Sequence, residues 1–136
     1  MKKVLFACVH NAGRSQMAAA FFNERADPSK ARALSAGTDP GPRVHPEVVA
    51  AMKEAGIDLS NARTERLTPE LAAQVQFLIT MGCGDQCPLV PGAQRNDWPV
   101  DDPKGRPLEH VRRIRDQIRN RVEELIRQEG WRRDER

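Results

Sequence analysis

The sequence predicts a three-layer α/β domain built on a parallel sheet. Short apolar runs of strand length alternate with helical segments, the order that builds such a sheet. The last third ends in a long amphipathic helix, with Leu108, Val111, Ile114, Ile118, Val122, Leu125 and Ile126 on one stripe. The length, 136 residues, suits one domain and would cramp two.

Each element has a local reason. Lys3–Ala7 is a strand that ends at Cys8, followed by a loop of small and polar residues from Val9 to Gly13. Arg14 to Ala26 favours helix, with Met17, Ala20 and Phe21 spaced to face inward, and Asp27-Pro28 ends it. Ala31–Ala36 is a weaker second strand closed by Gly37. The stretch from Gly37 to Pro46 holds three prolines and two glycines and reads as loop. His45 or Pro46 opens a helix that runs through Glu54 and stops at Gly56. Thr68 caps a short helix with Pro69 at its first position. Val75–Thr80 is the third strand. From Met81 to Pro107 the chain is irregular, with a fourth short strand at Asp97–Val100. On the last helix, arginines 112, 113, 115, 119 and 121 alternate with Glu109, Asp116, Glu123 and Glu124 and read as a solvated face. The domain is expected over residues 1–130, with 131–136 a frayed tail.

Composition excludes several classes. Hydrophobic residues make up 39%, and the nine glycines raise this to about 46%, ordinary for a globular chain. No run reaches the roughly 18 apolar residues of a membrane helix, and the opening apolar run stops at His10-Asn11, too early for a signal peptide. A cytoplasmic location is the default, with no membrane partner. Residues 1–68 hold ten Lys+Arg and seven Asp+Glu, and residues 69–136 hold twelve of each. Without an unbalanced basic face, and with four Phe, two Trp and no Tyr, no nucleic-acid partner is expected. Three cysteines, Cys8, Cys83 and Cys87, argue for reactive thiols or metal rather than a disulfide framework.

The chemistry concentrates in Cys8-Val9-His10-Asn11-Ala12-Gly13-Arg14-Ser15. A Cys-to-Arg spacing alone says little in a chain with seventeen arginines; the adjoining Ser15, the strand before and the helix after make it specific. Five loop residues, Val9 to Gly13, can turn their N–H groups inward as a nest for a tetrahedral oxyanion at the positive end of a helix. Gly13 supplies backbone freedom. Arg14 can grip two oxyanion oxygens with its fork. Cys8 lies at the base, where the same donors and the Ser15 hydroxyl stabilise its thiolate. His10 is expected at the surface, and Asn11 to hold the loop by bonding its backbone. The alternative is a small buried cysteine at a strand end.

Cys83 and Cys87 lie four apart between glycines and Pro88. On a helical turn that spacing puts Cα atoms about 6 Å apart, within disulfide reach. Zinc is the rival reading, but with only Cys8, His10 and these two as ligands no metal is assigned, and no cofactor either. Asp102, before Pro103, can donate a proton to a leaving oxygen, although Asp-Pro is also ordinary turn chemistry. The same stretch offers Asp101 as an alternative acid.

The loop from Cys8 to Ser15 after a first strand, with Asp102-Pro103 before a C-terminal helix, resembles the low-molecular-weight protein tyrosine phosphatase superfamily. With Cys83 and Cys87 it is closer to that fold's thioredoxin-coupled arsenate reductases. Ser15-Gln16-Met17-Ala18 and Ser35-Ala36-Gly37-Thr38 fit the same group. The resemblance implies a four-stranded parallel sheet flanked by helices. It makes Cys8 the nucleophile, Arg14 the oxyanion clamp, Asp102 the general acid and Ser15 the hydroxyl on the thiolate. Cys83 and Cys87 become the resolving thiols of a redox disulfide. It implies arsenate as substrate, phosphate or sulfate as competitors, and thioredoxin as reductant. Lys104-Gly105 stand where the phosphatases carry tyrosines, which favours reductase over phosphatase. A phosphatase, a non-catalytic thiol or metal-binding module, and a reductase fed by a small thiol are the other readings.

Overall fold

The computed structural model describes residues 1–82 and 92–133. The order is β1 (Lys2–Cys8), α1 (Arg14–Arg25), β2 (Ala31–Gly37), α2 (Pro46–Glu54), α3 (Pro69–Ala72), β3 (Phe77–Thr80), β4 (Gln94–Asp97) and α4 (Leu108–Glu129). All strand pairs are parallel, in the order β2-β1-β3-β4. The expected sheet is therefore present.

Side chains alternate across β1, and the two faces differ in cover. Val4, Phe6 and Cys8 join the larger core, built with α1, α2 and α4 and including Met17, Phe21, Phe22, Met52, Ile114 and Ile118. Leu5 and Ala7 join a smaller one with Ala36, Val75 and Leu78, closed by Leu67 and by Leu71 of α3. The α4 stripe is buried as expected from Val111 to Ile126, with Leu108 half-buried at its start.

Three expectations need correction. The fourth strand is Gln94–Asp97, not Asp97–Val100. It is an edge strand with partly solvated faces, so it lacks the apolar alternation that reveals a strand. Trp98 follows it into the core, 5.6 Å from the Phe6 ring. The domain does not stop at residue 130. Trp131 is 7% exposed, stacked edge-on against Phe22 and Phe77, and Arg132 pairs with Ala26. The charged face of α4 is not all solvated. Arg112 and Arg115 both pair with Glu54 on α2, and Arg115 also donates to the Ala51 carbonyl at 2.8 Å.

The register aligns the strand ends. Cys8 faces Gly37, Ala7 faces Thr80, and Thr80 faces Asp97, so all four carboxyl ends form one edge. The strand order reverses between β1 and β3, and ligands of parallel α/β sheets bind at such a point. The loop after β1 begins there.

Candidate active site

The loop is turned by its carbonyls. Those of Cys8, Val9, His10 and Ala12 accept from the N–H groups of Thr38, Asp39, Gly41 and His45, and that of Gly13 from Met17 in α1. In a trans peptide the N–H points opposite to the C=O. Anchoring these carbonyls in the 38–45 segment therefore directs the N–H groups of Val9, His10, Asn11 and Gly13 away from that segment. Main-chain donors gathered on one side of a loop at a helix start are what an anion site requires.

Cys8 is buried, and its Sγ lies 2.9 Å from Ser15 Oγ. Asn11 is fully buried at φ 50°, the left-handed region that asparagine tolerates better than most residues. Its Nδ2 donates to Ser15 Oγ at 2.7 Å. The expected bond from Asn11 to the loop backbone is replaced by one to a distant main chain: Oδ1 accepts from the Glu65 N–H at 2.9 Å. His10 is only partly exposed, its Nδ1 3.0 Å from the Asp39 carbonyl.

Gly13 is required for space rather than freedom. Its φ is −147°, outside the left-handed region, but a Cβ there would sit 2.7 Å from Pro103 Cγ. The loop that carries Asp102 thus rests directly on the anion loop. Gly37 is similar: a Cβ would lie 2.5 Å from the Val9 carbonyl oxygen. Neither contact has a sequence signal beyond the glycine itself.

Arg14 is 8% exposed. Its Nη1 donates to the Val100 carbonyl at 3.2 Å, and its Nη2 lies 3.7 Å from Asp102 Oδ2. Asp102 also accepts from the Lys104 N–H at 3.0 Å, and its side chain is 45% exposed. Asp101 turns the other way, its Oδ2 3.7 Å from His110 Nε2. Between the two acids, Asp102 is the one beside the loop. Gly82, at φ +96°, packs so closely that a Cβ would lie 2.2 Å from Arg14 Nη1. Cys83 and Cys87 lie outside the described residues. Farther along the strand-end edge, the Thr80 hydroxyl bonds Asp97, which with Arg95 holds the Asp97 carboxyl below its usual range.

A cavity of about 510 Å³ flanks the loop, lined in part by His10, Arg43, His45 and Lys104. Its basic groups suit an anionic visitor. Among the described residues no group of His, Cys, Asp and Glu could hold a metal ion, and no helix is long and apolar enough to cross a membrane.

Residues 3–134 match the family described as low molecular weight phosphotyrosine protein phosphatase. A relative from Synechocystis, described as a glutaredoxin arsenate reductase, is 38% identical over 93% of this chain and 97% of its own. A thioredoxin-dependent arsenate reductase of Corynebacterium glutamicum is 38% identical, with a TM-score of 0.82 over 94% of this chain. This chain spans 61% of that protein's length. An arsenate reductase in the phosphate-binding state is 37% identical, with a TM-score of 0.78 over 94% of this chain and 98% of its own.

Proposed function

The chain belongs to the low molecular weight phosphotyrosine protein phosphatase family, and from that premise we propose that it reduces arsenate to arsenite. The observation that carries the reading is Cys8 buried at the base of the anion loop, 2.9 Å from Ser15 Oγ, with Arg14 held by Val100 and Asp102 at its mouth. The names of the similar reductases, and the phosphate-binding state of one, support arsenate as the oxyanion.

Arsenate enters with its oxygens on the Val9–Arg14 N–H groups and the Arg14 fork. The Cys8 thiolate attacks arsenic, and Asp102 protonates the hydroxide that leaves. Cys83 thiolate then attacks the Cys8 sulfur. The sulfur–arsenic bonding pair stays on arsenic, which departs as arsenite two electrons richer, and a Cys8–Cys83 disulfide forms. Cys87 thiolate attacks Cys83, frees Cys8 as thiolate and leaves a Cys83–Cys87 disulfide. A dithiol protein of the thioredoxin class resets the pair. Phosphate and sulfate compete as tetrahedral oxyanions. Free thiols at each turn call for a reducing compartment, in keeping with the cytoplasm.

The test is a thiol count on fully reduced, desalted protein, before and after a slight excess of arsenate and without external reductant. The expected result is a fall from all three cysteines free to a single free thiol. A count that does not change overturns the reductase and leaves phosphate-ester hydrolysis by the same Cys8 loop as the reading to test.

A further inference from the structure

Gln16 is the third residue of α1 and is 7% exposed. Its Nε2 donates to the Arg63 carbonyl at 2.8 Å and to Asn11 Oδ1 at 3.1 Å. Both amide protons are thus in use. The Glu65 N–H donates to the same Asn11 oxygen at 2.9 Å.

Amide side chains can in principle be turned end for end, but main-chain groups cannot exchange roles. The Arg63 carbonyl only accepts, so the NH₂ end of Gln16 must face it. The Glu65 N–H only donates, so the oxygen end of Asn11 must face it. With its oxygen held by two donors, Asn11 presents Nδ2 to Ser15, whose Oγ accepts at 2.7 Å. The single hydroxyl proton of Ser15 is then left for Cys8 Sγ, 2.9 Å away. A reversed Asn11 would turn its NH₂ against the donors of Gln16 and Glu65, leaving the Glu65 N–H unpaired, and its buried oxygen would take the Ser15 hydroxyl proton away from Cys8.

We propose that Gln16 is a positioning residue for the Cys8 nucleophile. It reaches from α1 to the Arg63 carbonyl and, together with the Glu65 N–H, holds the Asn11 amide in the one orientation that makes Ser15 a donor to sulfur. A sulfur that always receives an O–H is stabilised as thiolate. The inference rests on Cys8 being the nucleophile, but it concerns the direction of a hydrogen-bond chain, not the identity of the substrate.

The experiment uses the full chain with Cys83→Ser and Cys87→Ser, in which Cys8 is the remaining thiol. The readout is the rate of Cys8 alkylation by iodoacetamide near neutral pH, beside the Kd of inorganic phosphate. Gln16→Met keeps length and removes both donors; alkylation is expected to slow about tenfold, the scale of one lost hydrogen bond. Gln16→Glu sets a carboxylate against Asn11 Oδ1 and the Arg63 carbonyl and is expected to be slower still. Phosphate Kd should change by less than about threefold in both, because Arg14 and the loop N–H groups hold the anion. Folded variants that alkylate at the parent rate overturn the proposal, and so does a parallel loss of phosphate binding, which would mark a merely structural role. If neither variant folds, the amide resonances of the unsubstituted Gln16 decide. They should shift together with those of Asn11 when Cys8 is alkylated, and a shift at Asn11 alone overturns the proposal. Alkylation consumes no arsenate, so a chain that behaves as expected here yet fails the thiol count loses the reductase reading and keeps this one.

Discussion

The Cys8–Ser15 loop and the Val100–Arg106 loop meet across Arg14, yet they are held in opposite ways. The first is tied by carbonyls to the 38–45 segment and by Asn11 to Glu65, and its Cys8, Asn11 and Ser15 are all buried. The second rests on Gly13 through Pro103 and carries Asp102 half in solvent. The difference suits the work that the proposed reaction gives each. Donors aimed at an oxyanion must be in place before it arrives, because reorganising them during reaction costs rate. An acid that replaces its proton from water at every turnover needs an open side.

The comparison breaks most sharply at Arg14, which belongs to both loops. Arg14→Lys keeps the charge but loses the fork that reaches the Val100 carbonyl and Asp102 and that, on the proposed reading, grips the oxyanion. Arsenate kcat/KM is expected to fall about 10²- to 10³-fold, the scale of one lost oxyanion donor. Near-parent turnover would show that main-chain donors alone hold the anion.

The next effect separates the adjacent acids. Asp102→Asn should lower kcat about 10²-fold, the low end for general acid catalysis. Asp101→Asn should stay within about twofold, as for an ordinary surface position, because that carboxylate faces His110. Steady-state rates for the pair check this; equal losses would return the acid role to either residue.

The smallest effect lies far from both loops. The Arg112 hydrogen bond, followed by Arg112's charge and then by Arg115, holds the Glu54 carboxyl below its ordinary 4.5. A carboxyl depressed on folding stabilises above its unfolded value and loses that contribution as pH falls through the folded one. Glu54→Gln should therefore melt slightly below the parent at neutral pH. The gap should narrow as pH falls below about 4.5 and vanish below the depressed folded value, with kcat unchanged near neutral pH. Thermal melts across pH test this, and a gap that persists in acid would deny the ion pair its part.

Much of the site was legible because it is local. Cys8, Arg14 and Ser15 sit within eight consecutive residues, and strand, turn and helix start each leave a pattern there. Elements with one buried face, such as α4, were equally plain. Polar edges were not: β4 reads Gln-Arg-Asn-Asp, and only its pairing with Phe77–Thr80 makes it a strand. Trp131 stands in a run of charged residues that looks like a tail, and its burial depends on Phe22 and Phe77, each more than fifty residues away. Gln16 reads as an ordinary helix former until Arg63 and Glu65 are beside it.

By itself the sequence determined the α/β class, the position of Cys8 at a strand end and the loop from Val9 to Gly13 that leads to Arg14 at a helix start. Those follow from hydrophobic period and from residues that act on near neighbours. The tertiary structure decided which of two adjacent carboxylates faces Arg14, why Gly13 must lack a side chain, and which way the Asn11 amide points. Each of these depends on a group brought from 50 to 90 residues away. No local pattern records such a partner, because the packing that supplies it exists only in the folded chain.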